Sequence, residues 1–377
     1  MQAFRAFKSI WDPNGKMNPG KVVDPNPITS HLRVFESYDP TPVPTHFKFT
    51  DDDGSFPRAT LRCVGVGKCR QTDGGTMCPS YMVTGEERHS TRGRAHLLYE
   101  MLNGQVIEGG WKSEEVKESL DLCLACKGCQ GDCPMQVDMA TSKAEFLSHY
   151  YAGRLRPRAA YAMGLVYWWA RLVSKVPNLV NLAARLPGLS QLAKLAAGVS
   201  QERSLPKLAP ETFTAWFRRR PAPTPAGPRV LVWPDRFNNF FHPEVARAAT
   251  EVLEAAGFRP ELPEQQLCCG RPLDDYGMLT LAKRQLTQIL DALEPALLED
   301  VPVVVLEPSC AAVLKDELTE LLPGDARTSS RRRCSRWRSS SASTRSTGRC
   351  RGSRGSPSST VTATRRRRSG STTPRSC

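Results

Sequence analysis

The sequence predicts an α-helical domain built around two cysteine-rich loops, followed by a partial α/β domain, with irregular termini. Three observations predict this arrangement. Seven of the thirteen cysteines fall between Cys63 and Cys133. Helix-start and helix-stop signals flank both cysteine-rich stretches. From Arg229 onward, short apolar runs alternate with helical patterns, which is typical of a parallel sheet covered by helices.

The second cysteine-rich loop, DLCLACKGCQGDCP at 121–134, predicts an iron–sulfur site. Its four cysteines are separated by two, two and three residues, and Pro134 follows the last. In bacterial ferredoxins this spacing gives three thiolates to one [4Fe–4S] cluster and the fourth to another. A structural zinc site is the alternative, although zinc sites usually pair two C-x-x-C hooks across a longer loop. The predicted ligands are Cys123, Cys126, Cys129 and Cys133.

The first cysteine-rich loop, CVGVGKCRQTDGGTMCP, follows the same template irregularly. Cys63 and Cys69 match the first and third ligands, whereas Val66 stands in the middle position. Cys78, which precedes a proline, comes late after an insertion. Because each Cys-Pro cysteine of a two-cluster ferredoxin crosses to the other cluster, two ligand sets are expected. These are Cys78 with Cys123, Cys126 and Cys129, and the incomplete set Cys63, Cys69 and Cys133.

Helices are expected on both sides of these loops. Ser90 and Gly104 are start and stop residues that delimit a helix over 91–103. Two more are expected at 114–122 and 139–151. Arg92 and Arg94, on the helix expected over 91–103, are expected on a solvated basic face. The pattern predicts an α-helical two-cluster ferredoxin-like domain that binds one or two [4Fe–4S] clusters.

The region after Arg229 predicts the α/β domain. Buried strands are expected at RVLVW (229–233) and VPVVVL (301–306), with helices at 243–256 and 279–293 and another from Ser309. The candidate metal ligands of this region are Cys268, Cys269 and Cys310. An exposed sheet edge and an incompletely buried core are expected here.

The basic charge of the chain is concentrated at its end. The net charge is +14, yet residues 327–377 hold fifteen Arg and no Asp or Glu. Without them, 37 basic residues face 38 acidic ones, so the rest of the chain is near neutral. Arg, Ser, Thr and Gly are what GC-rich codons give out of frame, so we expect a frameshifted, unpacked tail. A disordered arm that binds nucleic acid is the alternative.

Nothing at the N-terminus predicts export. The segment MQAFRAFKSI lacks the apolar region of a secretory signal. No apolar run is long enough to cross a bilayer, and the nearest, 159–173, is short. Clustered thiols in an unexported protein indicate metal ligands rather than disulfides. A cytoplasmic location is expected, with the inner face of the plasma membrane as a further possibility.

Two stretches carry a family resemblance. Residues 1–23 contain K-x-x-x-D-P-x-x-x-M-N-P-G-K, which resembles the C-terminal end of FAD-linked oxidases of the D-lactate dehydrogenase and glycolate oxidase type. Cys268-Cys269-Gly270, with Cys310 about forty residues later, resembles the first half of the cysteine-rich "CCG" domain. The leading cysteine of that family would fall near Asp235 and is missing. A second CCG repeat is also absent from the sequence.

The resemblance implies an iron–sulfur electron-transfer module of an FAD-linked 2-hydroxyacid dehydrogenase. FAD would belong to a missing N-terminal part or to a dehydrogenase partner. Electrons would pass to a quinone, a cytochrome or another acceptor, with no nucleic acid as partner. We expect an oxidoreductase component that is not catalytically complete alone. A zinc-stabilised interaction domain and an Arg/Ser-type nucleic-acid binder remain the alternatives.

The expected organisation has six segments. Tyr167, Trp168 and Trp169 lie in the fourth of them, where core packing is expected and contact with a membrane surface or a quinone is the alternative. The segments are an oxidase remnant (1–23), a surface-running linker (24–60), the ferredoxin-type domain (61–152), a helical and Pro-rich linker (153–228), the partial CCG domain (229–325) and the basic tail (326–377).

Overall fold

The structure, a computed structural model, describes residues 1–30, 39–221 and 227–324. The basic tail, with its expected frameshift and lack of packing, lies outside the described residues. The chain divides into two compact units, Met1–Pro42 and Val43–Cys377. Each unit is described by itself below.

Helices dominate the described residues. They are α1 Gln2–Trp11, α2 Phe56–Leu61, α3 Pro79–Thr84, α4 Thr91–Asn103, α5 Glu114–Asp121, α6 Gly128–Asp132, α7 Met139–Tyr150, α8 Arg158–Gly164, α9 Val166–Val173, α10 Pro177–Arg185, α11 Pro187–Ala197, α12 Phe213–Arg219, α13 Arg236–Phe240, α14 Pro243–Ala255, α15 Arg271–Asp275, α16 Leu279–Leu298, α17 Pro308–Ala312 and α18 Leu318–Leu321. A π-helical turn, Val313–Glu317, joins the last two. None of the helices in the described ranges is long and apolar enough to cross a membrane.

The smaller unit contains α1 and the turn after it. Asp12 ends the helix, and its carboxylate accepts hydrogen bonds from the backbone N–H groups of Lys16 and Met17 at 2.7 and 2.9 Å. The ammonium of Lys8 lies 2.7 Å from the same carboxylate. The residues of the K-x-x-x-D-P motif thus stabilise one turn together.

The larger unit contains the helices predicted around the cysteine loops. The prediction for 91–103 is confirmed by α4, whose first turn is capped by the Ser90 hydroxyl and whose end is set by Gly104 in the left-handed region. The predictions at 114–122 and 139–151 are confirmed by α5 and α7 to within one residue. Local capping chemistry was therefore sufficient to place them.

A three-stranded parallel sheet forms the α/β part. Its strands are β1 Arg229–Trp233, β2 Arg259–Glu261 and β3 Val303–Val305, in the order β2-β1-β3. Leu231 aligns with Glu261 on one side and with Val303 on the other. The predictions of β1 and β3 are confirmed. The edge strand β2 was missed because its sequence, RPE, has no apolar run.

The core of the sheet is buried, contrary to expectation. Val232 and Trp233 are at most 1 % exposed. One continuous apolar cluster joins Trp233 and Leu314 of the α/β part to Leu120 and Phe146 of the helical part. The expected incomplete core was wrong because Val232 packs against Phe213 and Ala246, while Trp233 belongs to the cluster shared with the helical part.

The predicted surface linker at 24–60 is wrong in its last part. Phe47 and Phe56 are fully buried in the same apolar cluster. The fully buried carboxylate of Glu145 accepts hydrogen bonds from the backbone N–H groups of His46 and Phe47, each at 2.9 Å. A buried carboxylate needs such donors, so this segment is fixed to α7 rather than free on the surface.

Candidate metal centres

Two ligands of the first cysteine-rich loop and one of the second lie at the same place. Cys63, Cys69 and Cys133 line the same small cavity, and Val66 lines it with them. The loop turns through Gly67, whose φ of +81° favours glycine. This is the predicted grouping of Cys63 and Cys69 with the Cys-Pro cysteine of the other loop.

The N-terminus of α4 points backbone N–H groups at two thiols of this loop. The Thr91 N–H donates to Sγ of Cys78 at 2.9 Å, and the Arg92 N–H donates to Sγ of Cys69 at 3.4 Å. The Thr91 hydroxyl also lies 2.8 Å from Sγ of Cys78. Donors and a helix dipole in this position favour the thiolate form that ligates metal.

Cys69 and Cys78 also interact with each other. The hydrogen bond between them lowers the pKa of Cys69 to about 6, with a further contribution from the Arg92 N–H. The same hydrogen bond, together with burial, raises the pKa of Cys78. The contact joins two cysteines that the predicted ligand sets assign to different clusters.

The second cysteine-rich loop turns sharply around Cys126. The residues on either side, Ala125 and Lys127, both have positive φ, at 50° and 57°. Such angles are uncommon outside glycine and require support from neighbouring structure. Cys126 is exposed, whereas Cys129 is buried, and burial raises the pKa of the Cys129 thiol to about 12.

The two cysteine-rich loops are held together directly. The Asp132 carboxylate accepts hydrogen bonds from the N–H and the hydroxyl of Thr76 at 2.8 and 2.7 Å. A Cβ atom at Gly128 would lie 2.9 Å from the carbonyl oxygen of Thr76, so only glycine allows this approach. Cys78 follows Thr76 by two residues, and its own sulfur contacts Thr91 at the start of α4.

A buried charge network ties the second loop to the α/β part. The Arg271 guanidinium donates to the backbone carbonyl of Ala125 and lies 2.6 Å from the Glu317 carboxylate. The Lys127 ammonium lies 3.1 Å from carboxylate oxygens of Asp138 and Glu317. Arg271 and Glu317 are both less than 9 % exposed. The two residues that flank Cys126 are therefore both anchored by buried charged groups.

The third group of cysteines lies at the carboxyl end of the sheet. Sγ of Cys310 is 2.9 Å from Sγ of Cys269, and the guanidinium of Arg236 is 3.5 Å from Sγ of Cys268. All three thiols are buried, and Cys268 is hydrogen-bonded to Cys269, which raises the pKa of Cys268. The structure thus brings together the CCG cysteines that the sequence predicted.

Asp235 stands where the CCG family has its leading cysteine. Its carboxylate caps α13 by accepting the N–H groups of Phe237 and Asn238, both at 3.0 Å. The Asn238 side-chain amide donates to its other oxygen at 2.7 Å. Burial raises the pKa of Asp235. This residue has a complete structural role of its own.

The donors fit iron–sulfur ligation by residue type, although the described side chains are not gathered around a metal position. The ten described cysteines are free thiols, and backbone N–H groups are directed at the sulfurs of Cys69 and Cys78. Hydrogen bonds to ligating sulfurs are a regular feature of such sites. Over residues 1–30, 39–221 and 227–324, no group of three or more His, Cys, Asp or Glu side chains is arranged to hold a metal ion.

The expected solvated face on α4 is wrong for one residue. Arg94 is 2 % exposed, and its guanidinium donates to the Ser119 carbonyl at 2.7 Å and to the Ser80 hydroxyl at 2.9 Å. It joins α4 to α5 and α3 instead of facing water. Arg92, which is partly exposed, pairs with Glu87 at 2.7 Å.

Comparison with known proteins defines the class of protein. Residues 59–137 match the 4Fe-4S dicluster domain family, and residues 235–315 match the cysteine-rich domain family. The chain is therefore an iron–sulfur protein with a dicluster domain and a cysteine-rich domain, and one or two [4Fe–4S] clusters are its indicated cofactors. No solved structure matches it significantly.

Three relatives show which iron–sulfur proteins the chain resembles. D-2-hydroxyglutarate dehydrogenase of Pantoea ananatis is 26 % identical over 86 % of this chain and 36 % of its own length. A probable glycolate oxidase iron–sulfur subunit of Bacillus subtilis is 24 % identical over 77 % of this chain and 65 % of its own. The glycolate oxidase iron–sulfur subunit of Escherichia coli is 37 % identical over 20 % of this chain and 16 % of its own.

These matches confirm the predicted relationship to the iron–sulfur part of FAD-linked oxidases. The chain spans about a third of the length of the D-2-hydroxyglutarate dehydrogenases that it resembles. The match to a dicluster domain also decides between iron–sulfur and zinc in favour of iron–sulfur.

Sequence reasoning missed the polar groups that support the cysteines. Lys127 lies inside the cysteine motif and Arg271 directly follows Cys268-Cys269-Gly270, so their positions beside the ligands were the available signal. Their partner Glu317 is distant from both of them in the sequence, and Asp138 lies just outside the cysteine motif. No local pattern could have paired them.

Replacing Arg271 with Met should loosen the loop around Cys126. The change removes the donor to the Ala125 carbonyl and leaves the buried Glu317 with less positive charge around it, a situation that costs about 3–5 kcal/mol. We expect faster hydrogen exchange of the amides at 124–130 and about tenfold faster loss of visible absorbance under an iron chelator.

The double variant Arg271→Met, Glu317→Met distinguishes a loosened loop from global unfolding, since it removes both charges of the pair. It should recover stability but not the slow exchange of the loop amides. Arg259→Met, which removes a surface arginine bonded to Glu261, is the matched control. Unchanged exchange at 124–130 in Arg271→Met would contradict the anchoring role.

Proposed function

We propose that this chain is the iron–sulfur electron-transfer module of an FAD-linked 2-hydroxyacid dehydrogenase of the D-2-hydroxyglutarate, D-lactate or glycolate type. The single observation that carries the proposal is the juxtaposition of two cysteine-rich loops through Thr76 and Asp132. The names of the relatives support the dehydrogenase type. Flavin would reside in another part of a longer protein or in a separate partner protein. The acceptor would be a quinone or a cytochrome, reached from the cytoplasmic side of the membrane.

The residues of the chain supply what such a module needs. A bound [4Fe–4S] cluster provides one-electron transfer. The N–H groups of Thr91 and Arg92 stabilise the negative charge that the sulfurs of Cys78 and Cys69 carry. The Lys127 ammonium, which is paired with the carboxylates of Asp138 and Glu317, fixes the loop beside Cys126. The N–H donors favour the site holding an additional electron.

An anaerobically prepared sample tests this function. It should be brown, should lose visible absorbance when reduced by dihydroflavin, and should regain it when a water-soluble quinone is added. Iron and acid-labile sulfide should both be present, with slightly less iron than sulfide if the second cluster holds three irons. A colourless sample that contains zinc would support the interaction-domain alternative instead.

We propose the ligand sets predicted from the sequence, with Cys78, Cys123, Cys126 and Cys129 at one cluster and Cys63, Cys69 and Cys133 at the other. The cavity shared by Cys63, Cys69 and Cys133 supports the second set. The contact between Thr76 and Asp132 supports the crossing of Cys78.

Single substitutions separate the two sets. Because the set Cys63, Cys69 and Cys133 lacks a fourth thiolate, its cluster should hold three irons and be lost first under oxygen. Cys126→Ala should abolish the four-iron EPR signal, whereas Cys63→Ala should spare it and remove only this second signal. Val66→Cys should restore the missing thiolate, raise the iron content and convert a three-iron signal to a four-iron one. Val83→Cys, at an exposed position outside the loops, is the control. The assignment is reversed if Cys63→Ala loses the four-iron signal while Cys126→Ala keeps it.

We propose Cys268, Cys269 and Cys310 as the ligands of a further metal site. Their burial and the 2.9 Å approach of Cys269 and Cys310 support this. Since Asp235 is engaged in capping α13, the site would have three thiolate ligands from this chain.

Metal analysis of Cys310→Ser tests the site. The metal content should fall below that of the parent chain, while the EPR signals assigned to the dicluster domain stay unchanged. Ser309→Ala, at the neighbouring position, should have no effect on metal content. Equal metal content in Cys310→Ser and the parent would show that these thiols are structural only.

A further inference from the structure

Helices α8 to α11 lie in a stretch with an unusual charge. Residues 152–201 contain seven basic residues and no Asp or Glu. Five of the basic side chains are exposed, namely Arg154, Arg158, Arg171, Lys175 and Arg185. The rest of the chain before the tail has 30 basic and 38 acidic residues and is therefore net acidic, so this stretch differs from it in charge.

The same helices expose large apolar side chains to solvent. In α10, Leu179 and Leu182 are 65 % and 56 % exposed, and in α11 Leu192 is 62 % exposed. Leu179 and Leu182 are three residues apart, so they lie on one face of their helix. Exposed apolar side chains on one helix face mark a surface that binds a partner or a membrane when they form a patch.

Two tryptophans extend the exposed surface on α9. Tyr167 is buried and its hydroxyl donates to the Gln266 carbonyl, so its expected core role is confirmed. Trp168 and Trp169 are instead 44 % and 36 % exposed, and Leu172 lies with them on one face of the helix. Trp side chains are favoured where an apolar surface meets water at the level of lipid headgroups.

We infer that α9 to α11 form a monotopic docking surface for an anionic lipid bilayer. The surface is defined by Trp168, Trp169, Leu172, Leu179, Leu182 and Leu192. Apolar helix faces with Trp and Leu, bordered by Lys and Arg and without acidic residues, bind in the interfacial plane of membranes. Positive charge near such a face is attracted to anionic headgroups. The helices are 8 to 11 residues long, which suits lying on a bilayer.

The observations favour lipid over a protein partner. A protein interface does not require fifty residues without a single carboxylate, whereas an anionic surface repels every carboxylate placed on it. The inference is independent of the proposed electron-transfer function, because it uses none of the cysteines. If both hold, the surface places the iron–sulfur module beside membrane-held acceptors.

Vesicle sedimentation with the full chain tests the inference. Binding to vesicles that contain phosphatidylglycerol should exceed binding to phosphatidylcholine vesicles by about tenfold and should weaken as salt is added. Because the Arg-rich tail also carries positive charge, the tail is retained in every variant. The double variant Leu179→Glu, Leu182→Glu should lose most of the binding. The matched control is Val83→Glu, Val106→Glu, which changes two exposed valines elsewhere and should bind like the parent.

A spectroscopic readout separates the helices from the tail. Brominated acyl chains should quench the fluorescence of the parent chain, and Trp168→Phe, Trp169→Phe should remove that quenching. Three results would overturn the inference. The first is undiminished vesicle binding by the Leu179, Leu182 variant, which would assign binding to the tail. The second is an absence of binding by the parent. The third is a dimer in solution that the same variant dissociates.

Discussion

Burial of charge beside a metal-binding loop is the constraint on which this structure depends. The loop around Cys126 turns through two residues with positive φ, and neither is glycine. Such a backbone persists only when its surroundings fix it. Here the fixing groups are Arg271, which donates to the Ala125 carbonyl, and Lys127, which lies between Asp138 and Glu317.

The network makes the two halves of the larger unit depend on each other. A buried guanidinium or ammonium requires a partner, and Glu317 serves both Arg271 and Lys127 from the π-helical turn after α17. Burial also raises the pKa of the neighbouring Asp274, whose carboxylate has no hydrogen-bond partner among the described residues. The continuous apolar core adds non-directional attraction, while the charges fix the relative position. The cysteine-rich half-domain is thereby a support for the cluster loop as well as a candidate site.

The cysteine thiols and the exposed apolar side chains of α9 to α11 occupy separate parts of the molecule. The thiols lie in loops at helix ends, where backbone N–H groups are available to sulfur. The exposed apolar and basic side chains lie on α9 to α11, which carry no cysteine. The exposed apolar and basic side chains of α9 to α11 are therefore separate in sequence from the cysteine-rich loops.

Sequence alone determined the features that rest on local chemistry. Cysteine spacing, caps such as Ser90 and stops such as Gly104 act over a few residues, so the cluster loop, α4, α5 and α7 could be placed. The apolar runs of β1 and β3 were equally visible. The CCG pair and Cys310 could be linked because a family pattern connects them across forty residues.

Tertiary structure alone decided which distant groups meet. Strand β2 has no apolar pattern and exists because β1 offers it an edge. Arg94 resembles a surface arginine in sequence and is buried because Ser80 and Ser119 supply acceptors. The segment around Phe47 resembles a linker, yet Glu145, about a hundred residues away, fixes it to α7. The physical reason is the same in each case. Whether a residue is buried and which group it pairs with depend on residues that are distant in the sequence, so neighbouring residues do not reveal them.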